Sequence, residues 1–147
     1  MRITQVSAFL ENRPGRLLHL LSVLAEAKVN VLAHDIVDAS DFGIVHLIVD
    51  DPKKAVQAIN QAGLTCSTTT VLAVNLPNEP GAFVEHVLRP LAASGVNIQY
   101  SYAFGSLAST TSQLESVSPQ VVLKVDDMDR AEKTLADEDQ FAKGKRL

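Results

Sequence analysis

Cysteine, long apolar runs, clustered basic residues and catalytic motifs are scarce or missing in this sequence of 147 residues, and the scarcity of each argues against a class of protein. It contains one cysteine, Cys66, so neither an internal disulfide nor a thiolate metal cluster can form, and a reducing compartment is expected. No apolar run is long enough to span a membrane, and the N-terminal stretch lacks the apolar core of a signal peptide. We therefore expect a cytoplasmic protein without a membrane partner.

An excess of positive charge is also missing. Lysine and arginine number 13 against 17 acidic residues, which gives a formal net charge of −4. Nonspecific nucleic-acid affinity comes from clustered basic side chains, and the only such cluster is the short stretch KGKR at 143–146. We expect no nucleic-acid partner. The 46% of hydrophobic residues is nevertheless ample for a packed core.

Motifs for catalysis and metal binding are lacking as well. The sequence contains no G-x-S-x-G motif, no glycine-rich phosphate loop and no H-E-x-x-H motif. The four histidines do not have the spacing that metal ligands show, and they are His19, His34, His46 and His86. We therefore predict no catalytic residue, no metal, no cofactor and no enzymatic activity.

What the chain does contain is an internal duplication. The stretch NRPG at 12–15 returns as NEPG at 78–81, a separation close to half the length of the chain. The pair VN at 29–30 returns at 96–97, and the pair DD at 50–51 returns at 126–127. The matches predict two domains, residues 1–70 and 71–147. The DD pairs stand between strands and helices, where capping is their expected role.

Hydrophobic periodicity gives each copy the same order of elements. The elements predicted for the first half are a strand at 3–10, a helix at 16–28, strands at 29–38 and 42–50, a helix at 51–63 and a β-rich run at 64–76. Asn12 is expected at the N-cap of the first helix, with Pro14 in its first turn. The run at 64–76 is long enough for the last strand of one unit and the first of the next.

The second half differs from the first by two insertions. One residue is added near Pro90, which is expected to kink or shorten that helix. Nine more produce a loop rich in serine and threonine at 105–119, expected to be mobile. The last helix is predicted near 127–137, followed by a short or frayed strand. The fold class is α+β, with two tandem ferredoxin-like βαββαβ units, antiparallel sheets and helices on one face.

Two stretches carry a family resemblance, LENRPGRLLHLLSVLAEAKVNVLAHDI and LPNEPGAFVEHVLRPLAASGVNIQYSYAF. Each resembles the ACT domain, a small-molecule regulatory module of amino-acid metabolism. The resemblance covers nearly the whole chain, which is similar to the stand-alone tandem ACT proteins of bacteria. It implies a non-catalytic regulatory protein with an amino acid as ligand, assembled as a homodimer, and in that family effectors bind near the first strand-helix loop. The ligand-binding residues it implies here are Asn12, Arg13, Gly15, Arg16, Leu17, Asn30, Asn78, Glu79, Gly81, Ala82, Phe83 and Asn97.

The chemistry of the two loops supports such a site independently. A helix N-terminus presents free N–H groups and a partial positive charge to a carboxylate, and Gly15 or Gly81 lets the ligand approach the backbone. An Asn carbonyl or a strand carbonyl can take the ammonium group. The loops differ in charge, because Arg13 and Arg16 in the first copy are replaced by Glu79 and Ala82. The alternative is that Asn, Pro and Gly are only ordinary helix-start signals.

Two other function classes stay open at this point. One is a protein-protein adaptor, or a regulatory subunit of an amino-acid biosynthetic enzyme, without a ligand of its own. The other is a small enzyme on the same fold, which the lack of a paired acid and base disfavours. Tyr100, Tyr102 and Phe104 alternate along a strand as in a nucleic-acid-binding sheet. Because the accompanying basic motif is absent, a core or interface role is expected for these aromatic residues.

Overall fold

The computed structural model describes residues 1–104 and 119–144, with side chains up to 103 and from 119 to 137. The inserted loop predicted at 105–119 therefore lies outside the described residues, apart from Pro119. The strands are β1 Arg2–Glu11, β2 Val31–Ala39, β3 Phe42–Val49, β4 Thr65–Asn75, β5 Ile98–Phe104 and β6 Gln120–Val125. The helices are α1 Arg16–Glu26, α2 Pro52–Gln61, a π-helical turn Val84–Leu88, α3 Arg89–Ala93 and α4 Met128–Gly144.

The described chain forms two compact units. The first unit is Thr4–Thr70, and the second combines Met1–Ile3 with Val71–Ala103 and the described residues from 119 onward. The boundary falls inside β4, so this strand closes the first unit and opens the second, as the β-rich run at 64–76 predicted. The division into two domains, residues 1–70 and 71–147, stays a prediction.

Each unit is a sheet with helices packed on one face. The strand order is β2-β3-β1-β4 in the first unit and β4-β6-β5 in the second. Alternate side chains of antiparallel strands point to opposite faces, and every second residue of β1, beginning at Val6, packs against α1 and α2. Leu72 and Leu123, which are paired in register, occupy the same position in the second core. The predicted ferredoxin-like arrangement is confirmed.

The one-residue insertion of the second copy lies in the π-helical turn. When the two VN pairs are aligned, the fully buried Leu20 and Leu24 of α1 correspond to Val87 and Leu91, which are fully buried as well. Nearer the helix start the alignment of the two Pro-Gly pairs holds instead, and the exposed Leu18 corresponds to the exposed Val84. The extra residue therefore falls within Val84–Leu88, whose wider turn accommodates it without moving the buried positions. The insertion precedes Pro90, and the predicted kink is replaced by this turn.

In the described residues, a helix continues where the last strand of the second unit was expected, and a different segment lines the edge of β4. Helix α4 continues to Gly144, beyond the end predicted at 137. The edge of β4 in this unit is instead lined by Met1–Ile3, where the Ala73 amide donates to the Met1 carbonyl at 2.9 Å. The Arg2 guanidinium also contacts the carboxylates of Asp129 and Glu132 on α4. Residues Met1–Ile3 thus cover the edge of β4 beside which the last strand of the second unit was expected.

The repeated DD pairs cap helices, as predicted. The Asp51 carboxylate accepts the Lys54 amide at 3.1 Å, and the Asp127 carboxylate accepts the Arg130 amide at 3.0 Å. Each satisfies a backbone donor in the first turn of its helix. No helix among residues 1–104 and 119–144 has the length and apolar character that crossing a bilayer requires.

Candidate functional site

The loop between β1 and α1 sets the geometry of the candidate site in the first unit. The N-cap residue is Gly15, whose φ of 86° is left-handed, and the helix begins at Arg16. The expectation that Asn12 caps the helix is therefore wrong. The chain makes its reversal at Gly15, after Pro14, and this leaves Asn12 too early in the chain to reach the first turn.

Asn12 instead ties the loop to the turn between β2 and β3. Its amide donates to the Asp41 carbonyl at 3.0 Å, and its side-chain Nδ2 donates to the Ser40 carbonyl at 3.2 Å. The same Nδ2 lies 3.4 Å from Oδ1 of Asp38. The loop and this turn therefore form one surface at one end of the unit.

The first turn of α1 keeps free donors. The Arg16 amide bonds to the Arg13 carbonyl at 3.3 Å, and the His19 amide to the Gly15 carbonyl at 3.0 Å. Within the described chain, the amides of Leu17 and Leu18 have no acceptor. A Cβ built on Gly15 would meet no heavy atom within 4 Å. The turn thus presents two unbonded amides beside open space, which suits an anion.

The arginines of this loop are partly neutralised by Glu11 at the end of β1. The Arg13 guanidinium lies 2.5 Å from one Glu11 oxygen, and that of Arg16 lies 3.4 Å from the other. Two positive charges thus share one negative charge, and all three side chains are at least one-third exposed. The positive potential beside the helix is weaker than the sequence suggested. The Leu17 side chain packs against the core, so only its backbone faces the site.

The second unit repeats this backbone with different side chains. Gly81 has a φ of 81° and open space at its Cβ position, and its carbonyl accepts the Glu85 amide at 3.0 Å. Ala82 is buried and Phe83 packs against the second core, so neither side chain points into the loop. In the described residues, the amide of Phe83 has no acceptor.

The charges around the second loop are arranged differently. Asn78 and Glu79 are exposed, and a Glu79 oxygen lies 3.5 Å from Nε2 of His86. Hydrogen bonds from Arg89 lower the pKa of the neighbouring Glu85 carboxyl below its ordinary value. This loop therefore presents acidic groups where the first presents arginines.

The structure does not bring Asn30 or Asn97 to the loop of its own unit. Asn30 precedes β2, whereas Asn12 lies beside the turn that follows β2, about 25 Å away at the rise of an extended strand. The Asn30 amide donates to Oδ1 of Asp50 at 2.9 Å, and the Asn97 amide donates to Oδ1 of Asp126 at the same distance. Their backbones join neighbouring strands, a role that the sequence analysis did not assign.

Sequence reasoning also missed Asp38 and the turn around Ser40. Nothing in the spacing of these residues connects them to Asn12, because the contact depends on the pairing of β1 with β3, which sets Glu11 opposite Phe42. The available signal was the short gap between the strands predicted at 29–38 and 42–50, which indicates a tight hairpin connection, and Ser40 in that gap has a left-handed φ of 62°. Among the described residues, no group of three or more potential metal ligands occurs.

A buried polar cluster lies away from the loops, on the sheet face opposite the helices of the first unit. Gln5, Ser7 and His46 are buried, and Nε2 of Gln5 lies 3.1 Å from Oγ of Ser7 and 3.0 Å from Nδ1 of His46. The Ser7 hydroxyl lies 3.1 Å from the same Nδ1. Burial lowers the pKa of His46, and the charge of Asp35 opposes this shift.

The sequence matches the family model of an ACT domain pair over residues 1–146. The chain belongs to the ACT domain family. No curated protein matches it. Among solved structures, the ACT domain pair is similar to protein BT0572 from Bacteroides thetaiotaomicron, with 34% sequence identity, a TM-score of 0.82, and 95% of this chain and 90% of that chain covered.

Two further solved structures share the fold of this ACT domain pair. The regulatory subunit of aspartate kinase from Thermus thermophilus, in its ligand-free form, has 14% identity and a TM-score of 0.63, with 95% of this chain and 94% of that chain covered. The regulatory subunit of aspartate kinase from Thermus flavus has 14% identity, a TM-score of 0.60 and the same coverage. At this identity the likeness establishes the fold alone.

Proposed function

We propose that this ACT domain pair is a cytoplasmic, non-catalytic regulatory protein that binds an amino acid at its strand-helix loops. The observation that carries the proposal is the same in both units. A glycine of positive φ, Gly15 or Gly81, precedes a helical turn with an unbonded amide and has open space at its Cβ position. Such a turn accepts a carboxylate through hydrogen bonds and the helix dipole.

The first unit offers partners for both ends of a zwitterion. The carboxylate would accept hydrogen bonds from the amides of Leu17 and Leu18. The ammonium group would donate to the Oδ1 atom of Asn12 or to the carboxylate of Asp38, which lie together on the adjoining surface. The side-chain amide of Asn12 is already held by the Ser40 carbonyl, so its oxygen is oriented before a ligand arrives. The ligand contacts expected from Asn30, Asn78 and Asn97 stay predictions.

The structural neighbours support a regulatory role on amino-acid metabolism. Both aspartate kinase proteins are named as regulatory subunits, and both have the fold of this chain. We propose that the ligand changes how this protein contacts an enzyme of amino-acid metabolism, and that the working form is a homodimer. A thermal-shift screen against the twenty amino acids tests the ligand directly, because a ligand at about 100 times its Kd stabilises by about 2.7 kcal/mol. No shift with any of them would contradict the proposal.

Two glycine variants then locate the site. We expect Gly15→Ala to weaken amino-acid binding at the first loop at least tenfold, and Gly81→Ala to do the same at the second, because a Cβ occupies the approach to the amides. Gly63→Ala is the matched control, since Gly63 also has a positive φ of 78° and open space but lies beyond the end of α2. Normal binding by both loop variants, measured by calorimetry, would exclude the loops as sites.

A ligand-independent adaptor remains the second candidate, and a specific observation favours it. At one end of the first unit, Ile36 is 49% exposed and Phe42 is 57% exposed. Exposed apolar side chains of this kind are typical of a protein-binding surface. The thermal-shift screen separates the two functions, because the adaptor predicts no stabilisation by any amino acid. Capture of an enzyme partner that is insensitive to added amino acids would favour the adaptor.

A further inference from the structure

The sheet face opposite the helices carries an apolar patch in the first unit. In the register of β1, β3 and β2, Phe9 stands opposite Ile44 and Ile44 opposite Val37, so these side chains form one row across three strands. Phe42 lies on the same face one row further along, because residues two apart on a strand point the same way. Phe9 is 41% exposed, Val37 is 40% exposed and Phe42 is 57% exposed. These four residues form the apolar patch.

The fold does not require an apolar surface at this place. Phe9 corresponds to Asn75 when the two Asn-x-Pro-Gly stretches are aligned, and Ile44 corresponds to Gln120 when the strands before the DD pairs are aligned. Asn75 and Gln120 stand opposite each other, and their side chains are hydrogen-bonded. The second unit is therefore polar where the first is apolar. An exposed apolar patch that packing does not explain marks an interaction surface.

The size of the apolar patch fits a single helix. The row crosses three strands, and two inter-strand spacings of about 4.8 Å give it a width of about 10 Å. An α-helix with its side chains has a diameter of about 10–12 Å. A sheet face is usually covered by a further layer of secondary structure, and α1 and α2 pack on the other face of this sheet. One additional helix would cover the row.

The charges around the apolar patch are mainly acidic. Asp35 lies on the same face in the neighbouring row, opposite His46, and the described lysines and arginines form no salt bridge with it. Glu11 borders the other side of the patch and contacts Arg13 and Arg16. Strands β2 and β3 contain no lysine or arginine. A partner with basic side chains beside its apolar surface is complementary to this arrangement.

We propose that the apolar patch docks an amphipathic helix of a partner protein, with lysine or arginine beside the apolar stripe of that helix. The stripe covers the row from Phe9 to Val37, and a basic side chain reaches the Asp35 carboxylate. As the contact between a regulatory protein and its enzyme, this inference rests on the proposed function. The docking itself requires no amino-acid ligand, because the patch lies on the sheet face and not in the strand-helix loops.

Peptide binding tests the docking without an amino acid present. The probes are two labelled synthetic helices with the same leucine stripe, one with lysine and one with glutamate at the remaining positions. Fluorescence anisotropy measures the affinity of each peptide for the natural chain. We expect the lysine peptide to bind at least about tenfold more tightly than the glutamate peptide, because its charges complement those around the patch. Equal binding of the two peptides, or binding of neither, would overturn the proposal.

The residues of the second unit provide the variant that removes the patch. The double variant Phe9→Asn and Ile44→Gln carries the side chains found at the equivalent positions, and should bind the lysine peptide at least about tenfold more weakly. Leu18→Asn is the matched control, because Leu18 is 72% exposed but lies on α1. Circular dichroism shows that the variants are folded. Unchanged binding by the double variant, or an equal loss in Leu18→Asn, would contradict docking at this patch.

A pair of charge variants tests the basic character of the partner. Asp35→Asn should weaken binding of the lysine peptide by about threefold, because it removes the carboxylate beside the apolar row. Glu26→Gln removes an exposed carboxylate at the end of α1, away from the patch, and should leave the affinity unchanged. Equal effects of the two variants would show that the peptide responds only to net charge, which would overturn the assignment of a basic helix to this patch.

Sedimentation distinguishes a partner helix from a second copy of the chain. Without peptide, the natural chain and the double variant Phe9→Asn and Ile44→Gln are expected to have the same oligomeric state. An assembly that is lost only in the double variant would show that a second copy covers the patch, and this would overturn the proposal. The thermal-shift screen is read separately. A protein that is stabilised by an amino acid but does not bind the lysine peptide would keep the proposed function and contradict only this inference.

Discussion

The two units have the same strand register but different side chains on the sheet face opposite the helices. Ser7 pairs with His46 in the first unit, and Ala73 pairs with Val122 at the equivalent place in the second. Gln5 likewise corresponds to Val71 when the two Asn-x-Pro-Gly stretches are aligned. A hydrogen-bonded polar cluster in one copy is therefore an apolar cluster in the other, and both are largely buried.

The differences between the two units show which parts of the sequence the fold requires. The core facing the helices is apolar in both units, so packing alone explains it. The polar cluster is not required, since Val71 and Val122 fill equivalent positions in the duplicate. Buried polar groups are tolerated only when they are hydrogen-bonded, and no buried side-chain nitrogen or oxygen of the described residues lacks a partner. The cluster is thus a property particular to the first unit.

Two leucine variants, which should have larger effects than any others proposed here, test whether the two cores contribute equally to stability. Leu24→Ala and Leu91→Ala remove fully buried side chains at equivalent positions, one in the regular helix α1 and one in the shorter α3. Each is expected to lower the free energy of unfolding by about 2–5 kcal/mol, through lost burial and the cavity left behind. Urea denaturation measures both. A loss below about 1 kcal/mol in either variant would show that its core repacks, which the burial of these leucines argues against.

A smaller effect is expected from converting the polar cluster to its duplicate. His46→Val alone should lower the free energy of unfolding by about 1–3 kcal/mol, because it takes a hydrogen-bond partner from Gln5 and Ser7. The triple variant Gln5→Val, Ser7→Ala and His46→Val carries the residues of the second unit and should recover most of this loss. Denaturant unfolding compares the two variants. If the triple variant were the less stable, the two sheet faces would not be interchangeable.

The same cluster predicts a dependence on pH. Since Nε2 of Gln5 can only donate, Nδ1 of His46 accepts its hydrogen bond and carries no proton. The pKa of His46 is lowered in the folded protein. Between that lowered pKa and the ordinary value of 6.5, the unfolded chain therefore binds more protons than the folded protein does. The contribution of neutral His46 to the stability of the fold is complete above the ordinary pKa and is lost as the pH falls through the folded pKa. The free energy of unfolding of the natural chain should therefore decline from pH 8 to pH 5. The triple variant, which has no His46, should lack this decline.

The order of elements could be predicted from the sequence because it depends on local patterns. Leucines at helical spacing, β-branched runs and the repeated Asn-x-Pro-Gly each act within one turn or strand. The long run at 64–76 was likewise predicted to hold the last strand of one unit and the first of the next, and the structure has the single strand β4 there. In the candidate site, Gly15 and Gly81 were identified from the same local signals, although the N-cap of α1 was predicted at Asn12 and is Gly15.

The remaining features depend on contacts between distant residues. Nothing in the sequence of Met1–Ile3 indicates that it lines β4, since this follows from a hydrogen bond between residues 72 positions apart. The contact of Asn12 with Asp38 depends on strand register in the same way. The π-helical turn Val84–Leu88 could be located only once burial showed which leucines and valines correspond.

Removing single charges from the two loops should change ligand affinity only slightly. Arg16→Gln should weaken amino-acid binding at the first loop by less than about fivefold, because Glu11 already neutralises part of this charge and the side chain is one-third exposed. Glu79→Gln should strengthen carboxylate binding at the second loop by a similar factor, because an exposed negative charge beside the helix start is removed. Calorimetry at low and high salt checks both, since screening reduces exposed charge effects. A tenfold or larger change that persists in high salt would show direct contact between the side chain and the ligand, and the backbone amides would then not be the main anchor.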